Sequence, residues 1–396
     1  MIGVSKLLCD LDTESDGLRY EDNSSSKKQI KHKGKHSGKP VVVWNSTLRC
    51  NLECKHCYAS AGNKKHPQEL SNEQAKNLID DLSEYGVPVM IFSGGEPFLR
   101  DDIFELIKYA KEKGIRAVIS TNGTLLNDEN VSRCVDAGVD YIGVSVDGLP
   151  EANDSFRGME GAFESAVGGI RRCLESDIKT GLRYTITDYN KDDLKQVIEL
   201  LKEKGVDRYC FYHLDYGGKG EDIREHDLSN EETREAIRKL FELTESFHEK
   251  GFPIEVLTVG NYVDAPFLYM YTKEKHGKQK AEKVRELLKR NGGDGTGQTI
   301  AAVDHRGYVH PNQFWRSKKL GNVKERKFGE IWEDESSALM EGLKNKKEKL
   351  KGKCSRCRFV DICGGGSRLR ALTVTGDVWK PDPKCYLSEE EIREGE

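Results

Sequence analysis

Between residues 40 and 214, short apolar runs alternate with amphipathic helical patterns, and this alternation limits the possible folds more than any other feature. The first run is Pro40–Asn45, followed by a helix over Asn72–Tyr85 with Ser71 as N-cap. Val87–Phe92 precedes a helix over Ile103–Lys113, stopped at Gly114, and Arg116–Ser120 precedes Asp128–Ala137, stopped at Gly138. Tyr141–Val146 and Ala162–Ser176, then Gly181–Thr187 and Asp192–Lys204, repeat the step, and Arg208–Leu214 is the sixth strand. Strands that are apolar throughout are covered on both faces, so the pattern implies a parallel sheet wrapped in helices. Six repeats suit a partial (β/α)6 barrel better than a closed one of eight. In such folds ligands sit at the C-terminal strand ends.

The remaining segments divide by composition. Residues 1–39 carry a polar, basic stretch, SSSKKQIKHKGKHSGK, and read as a solvated arm. Residues 40–220 are the barrel. Residues 221–299 read as a charged helical bridge ending in the glycine-rich loop Asn291–Thr299. That loop lacks the GK[ST] ending of a phosphate-binding loop and is expected to be mobile. Residues 300–396 read as a small, cysteine-bearing α+β domain. A net charge of −4 is too small to imply nucleic acid or a membrane surface as partner. No apolar run reaches spanning length, and Met1–Asp10 lacks a signal-peptide layout, so the expected location is cytoplasmic.

Seven of the eleven cysteines fall into two groups, Cys50/Cys54/Cys57 and Cys354/Cys357/Cys363/Cys385. Cys9, Cys134, Cys173 and Cys210 are scattered and read as inert thiols. Clustered thiols in a reducing compartment point to metal. The C-x3-C-x2-C group supplies three thiolates, which leaves one iron of a [4Fe-4S] cluster open; zinc with His56 or His66 as fourth ligand is the alternative. The second group supplies four thiolates, enough for zinc or for a closed cluster.

The first group, with His56 as the aromatic before its last cysteine, resembles the radical S-adenosylmethionine (SAM) signature. Ser93-Gly94-Gly95-Glu96-Pro97 resembles that family's GGEP motif. The resemblance implies that Gly94, Gly95 and Glu96 receive the SAM amino group. It also implies ribose contacts from Ser145 and Asp147, a SAM-carboxylate contact from Arg157, and weaker contacts from Thr185 and Thr187. Reductive cleavage of SAM to a 5′-deoxyadenosyl radical is the chemistry implied. The second group resembles the SPASM/Twitch extension. Ser367 and Asn312 stand where full SPASM domains carry further cysteines, so one auxiliary [4Fe-4S] cluster with four protein ligands is expected.

Longer stretches resemble the tetrapyrrole-modifying radical SAM enzymes: Met1–Cys9, Leu18-Arg-Tyr20, Lys39–Asn45, Cys210–Leu214, and the tail from Cys363 to Cys385. This implies an iron tetrapyrrole substrate and an external electron donor such as ferredoxin or flavodoxin. Two reactions fit: removal of both acetates of 12,18-didecarboxysiroheme, or loss of propionates as in NirJ-type heme d1 synthesis. A peptide-modifying maturase is the rival reading. Phe211, Tyr212, His213, Tyr216, Arg368 and Arg370 are the candidates for the substrate pocket, with His213 and Tyr212 as catalytic candidates.

Overall fold

The structure, a computed structural model, describes residues 1–20 and 38–393. Eleven strands among them form one sheet: β1 (Ile2–Gly3), β2 (Val41–Asn45), β3 (Val89–Ser93), β4 (Arg116–Thr121), β5 (Tyr141–Ser145), β6 (Thr180–Ile186), β7 (Arg208–His213), β8 (Glu255–Val259), β9 (Ile300–Val303), β10 (Tyr308–His310) and β11 (Gly321–Asn322). Their order is β1-β8-β7-β6-β5-β4-β3-β2-β9-β10-β11. Every pairing from β8 across to β9 is parallel. β1 and the β9–β11 meander are antiparallel additions at the two edges.

The period of two along each strand divides the side chains between two layers. Val42, Trp44, Met90, Phe92, Ile119, Val144 and Tyr184 are fully buried beneath the helices. Burying one such side chain contributes about 2–3 kcal/mol. The alternate residues, including Val43, Ile91, Val118, Arg183 and Cys210, face an interior cavity. The helices form where their caps direct. The helix Asn72–Tyr85 opens on a capping box between Ser71 and Gln74 and closes at Gly86, whose φ of 90° is left-handed.

The six expected strands are all present, and the structure corrects the sequence reading at three places. Residues 1–20 are not part of a solvated arm: β1 pairs with β8, and the helix Val4–Cys9 buries Val4, Leu7 and Leu8. The basic stretch itself, residues 21–37, lies outside the described residues. The bridge contains β8, a further parallel strand after the helix Asn230–Glu249. The glycine-rich loop is packed, not free: Asp294 is 3% exposed, its Nζ partner Lys346 lies 2.9 Å away, and its amide donates to the Cys363 carbonyl at 3.2 Å.

The cysteine-bearing segment continues the barrel sheet, since β9 pairs directly with β2. Two buried arginines fix it in place. Arg370 pairs with Asp382 at 2.8 Å and donates to the carbonyls of Leu214 (3.0 Å) and Gly260 (2.8 Å). Arg368 donates to the carbonyls of Val378 (2.8 Å) and Lys380 (2.9 Å). Among the described residues no helix is long and apolar enough to cross a membrane.

Candidate active site

The loop after β2 carries the first cysteines. The amides of Gly95 and Glu96 donate to the carbonyls of Thr47 (2.7 Å) and Arg49 (2.8 Å), tying the loop after β3 to the start of the cysteine loop. A Cβ on Gly94 would stand 2.5 Å from the Thr47 oxygen, and one on Gly95 would stand 2.3 Å from that of Arg49. Only glycines permit this approach. They line the cavity beside Cys50, Cys54 and Cys57.

Each of the three sulfurs faces a donor. The Leu52 amide points at Cys50 Sγ (3.5 Å), the Ala61 amide at Cys57 Sγ (3.4 Å), and Arg157 Nη1 at Cys54 Sγ (3.7 Å). Asn122 Nδ2 also reaches Cys50 Sγ, at 3.9 Å. Donors to sulfur stabilise thiolate ligands and tune a cluster. The three thiols, all on the cavity wall, therefore suit an iron–sulfur cluster. His56 stacks on Phe156 with ring centroids 4.4 Å apart and planes 7° from parallel. Burial, followed by the nearby Arg157 charge, holds His56 well below the usual histidine range, so its ring is neutral.

The cavity has a volume of about 510 Å³ and contains Gly94, Gly95, Ser145, Arg157, Thr185, Tyr212 and His213. Glu96 and Asp147 do not reach it. Glu96 is fully buried behind the wall, accepting from Thr121 Oγ1 (2.7 Å) and the Asn122 amide (2.9 Å), and burial pushes its carboxyl up to about 7. Its visible work is to hold the end of β4 against the cysteine loop. Asp147 is equally buried; it accepts from the Thr185 amide (2.6 Å) and pairs with the Arg157 guanidinium. Burial raises the Asp147 carboxyl against the opposing pull of Arg157. Arg157 is thus a buried member of an ion pair and not a surface side chain. Thr187 turns away to Asn190, whose Oδ1 its amide bonds at 2.8 Å.

Tyr212 and His213 stand at the C-terminal end of β7. His213 Nε2 lies 2.9 Å from Asp264 Oδ2, and Asp264 also accepts from the Tyr386 hydroxyl at 2.7 Å. The other pocket candidates belong elsewhere. Phe211 is fully buried against Tyr184 on the helix side of the sheet, and Tyr216 donates to Asp227 at 2.9 Å. Arg368 and Arg370 are fully buried in the staples described above. Sequence reasoning missed Asn122 and Asp264. Asn122 follows β4 at its C-terminal rim, where position alone could have flagged it; nothing local marks Asp264.

Cys354, Cys357, Cys363 and Cys385 face a second, much smaller cavity walled by Val263, Pro266, Val360, Leu387 and Ile392. Four thiols around one apolar space fit a fully ligated cluster.

Fold and cysteine geometry together define a radical SAM enzyme with an auxiliary iron–sulfur domain. The chain belongs to the radical SAM superfamily, which it matches over residues 44–201, and carries the SPASM iron–sulfur cluster-binding domain over residues 295–358. It is 50% identical to Fe-coproporphyrin III synthase of Methanosarcina barkeri across 99% of both chains. It is 40% identical to pre-heme d1 synthase of Dinoroseobacter shibae across 88% of this chain and 87% of that one. Among solved structures, Streptococcus suis SuiB bound to S-adenosylmethionine has a TM-score of 0.70 at 17% identity, covering 88% of this chain and 78% of that one; at that identity the likeness concerns the fold alone.

Proposed function

We propose that this enzyme removes the two acetate side chains of 12,18-didecarboxysiroheme, giving Fe-coproporphyrin III. The observation that carries the reading is the 50% identity to Fe-coproporphyrin III synthase along 99% of both chains. Heme d1-type chemistry is the second reading, supported by the 40% relative. A [4Fe-4S] cluster held by Cys50, Cys54 and Cys57, with SAM bound beside it, would supply radical hydrogen abstraction at this site.

The residues divide the remaining work. Cys50, Cys54 and Cys57 hold the cluster. Gly94 and Gly95 let backbone carbonyls approach the SAM amino group, and Ser145 and Thr185 face the same space. Arg157 and Asp147 position that wall through each other. Asp264 Oδ2, 2.9 Å from Nε2, orients the His213 ring at the cavity wall. The Tyr212 hydroxyl, in the same wall, is a donor. Cys354, Cys357, Cys363 and Cys385 would hold an auxiliary cluster, which would supply electron transfer from a donor such as ferredoxin or flavodoxin.

Anaerobic incubation with SAM, a reductant and didecarboxysiroheme, followed by mass analysis of the tetrapyrrole, tests the reading. Loss of two acetates is expected. Loss of propionate fragments selects the second reading, and an unchanged ring despite SAM cleavage overturns both.

A further inference from the structure

The barrel interior contains donors without acceptors. Arg183 sits in mid-β6, in register with Ser145 on β5 and Cys210 on β7, and lines the cavity. Every other buried or half-buried arginine discussed so far has a carboxylate or carbonyl partner. Arg183 has neither: no hydrogen bond or ion pair is made by its guanidinium among the described residues. Its electrostatic neighbours are Tyr212, Tyr141, Cys210 and Tyr58, none of them a carboxyl group. Two of these add donors. Tyr141 is 8% exposed, and its hydroxyl is buried with no partner. Tyr212 shares the cavity wall and makes no side-chain hydrogen bond among the described residues.

A half-buried cation with no counter-charge is poised for an anion entering the cavity, and buried phenols ordinarily find a partner. The chain also makes room for this arrangement. A Cβ on Gly143, in the neighbouring strand, would stand 2.2 Å from Arg183 Nε and 3.0 Å from Cζ. The missing side chain at Gly143 is what leaves room for the guanidinium.

We propose that Arg183, with the Tyr212 and Tyr141 hydroxyls, is a carboxylate receptor that takes one acidic side chain of the substrate and so sets which ring edge faces the radical. The proposal rests on the tetrapyrrole reading above. A guanidinium presents a planar pair of N–H donors that matches a carboxylate, and in a low-dielectric barrel the match strengthens. SAM also carries a carboxylate, so the test must separate the two sources.

Three reconstituted, full-length proteins decide it: parent, Arg183→Met and Gly143→Ala. Gly143→Ala keeps the charge and displaces it, since the group it meets is the end of a flexible side chain. Binding of didecarboxysiroheme and of Fe-coproporphyrin III is read anaerobically from the Soret band, and SAM binding by equilibrium dialysis. Both variants should weaken tetrapyrrole binding, Arg183→Met by about 10- to 100-fold, with SAM affinity within about twofold of the parent. Without substrate, Arg183→Met should melt no lower than the parent, because the substitution removes no ion pair or hydrogen bond. Unchanged tetrapyrrole binding in Arg183→Met, a parallel loss of SAM affinity, or a lower melting point would each overturn the assignment. A parent that binds neither tetrapyrrole would overturn the proposed function along with it.

Discussion

The two cysteine groups meet their surroundings in opposite ways. Cys50, Cys54 and Cys57 lie on a loop held by backbone bonds to the Gly94–Glu96 turn, receive N–H donors at each sulfur, and open onto a cavity of about 510 Å³. Cys354, Cys357, Cys363 and Cys385 surround a small apolar space with no room beside them. Three thiols with polar neighbours and free volume leave a place for a ligand, whereas four thiols in an apolar shell leave none. Reactivity is thus assigned by what the protein omits at the first site. Between the sites runs the buried loop around Asp294, which lines the large cavity and bonds the Cys363 carbonyl at 3.2 Å.

The largest expected effect separates the sites by function. Cys57→Ala should lower SAM cleavage by at least about a thousandfold and remove about four irons per chain. Cys385→Ala should cost a similar amount of iron, keep SAM cleavage within about tenfold, and abolish tetrapyrrole turnover. Iron and sulfide analysis beside 5′-deoxyadenosine release measures this. If Cys385→Ala stopped SAM cleavage while the first cluster remained visible by EPR, the division of labour would be wrong.

A second pair of substitutions compares the ion pairs behind the sites. Arg370→Met leaves Asp382 buried and unpaired, and Arg157→Met does the same to Asp147. Each should cost about 3–5 kcal/mol of stability. The two differ in reach: Arg157→Met should also weaken SAM binding, because Asp147 holds the Thr185 amide at the cavity wall. Arg370→Met should leave SAM binding intact. Denaturant titration beside SAM dialysis checks both halves.

Asp215 sharpens the comparison through pH. It is 8% exposed, lines the large cavity, and leaves Oδ1 without a partner; burial pushes its carboxyl up to about 6 from 3.8. A raised carboxyl favours the protonated fold. That stabilisation is complete below about 3.8 and is lost as pH rises through about 6. At pH 8 the charged form therefore costs about 3 kcal/mol. Asp215→Asn should raise the thermal midpoint at pH 8 and give no advantage near pH 4. An equal gain at both would show that the carboxyl is not titrating between them.

What could be read from the sequence follows physical range. The six strands, their helices and both cysteine groups were legible because period, capping and spacing are local. β8 was missed although residues 254–259 are mostly apolar and β-branched, because they follow the charged helix Asn230–Glu249 and read as one stretch with it. Arg368 and Arg370 were misplaced because a charged residue near cysteines reads alike whether it faces a ligand or a set of carbonyls. Phe211 and Tyr212 show the limit sharply. They are adjacent in one strand, and only the side of the sheet each faces makes one of them core and the other cavity wall.

The smallest expected effect concerns His56. Its ring stacks on Phe156, its Nδ1 is buried without a partner, and its Nε2 stands 3.6 Å from Asp147, beyond hydrogen-bond range. The contact it offers is therefore the face of the ring and not its nitrogens. His56→Phe keeps that face and removes an orphaned polar atom, so SAM cleavage should stay within about threefold of the parent and stability should not fall. His56→Ala removes the face, and should cost about 1–2 kcal/mol of stability with a larger loss of cluster occupancy. Should phenylalanine behave like alanine, a nitrogen of His56 takes part at the open site. The contrast between a polar, reactive group and an apolar, closed one would then extend to the residue between Cys54 and Cys57.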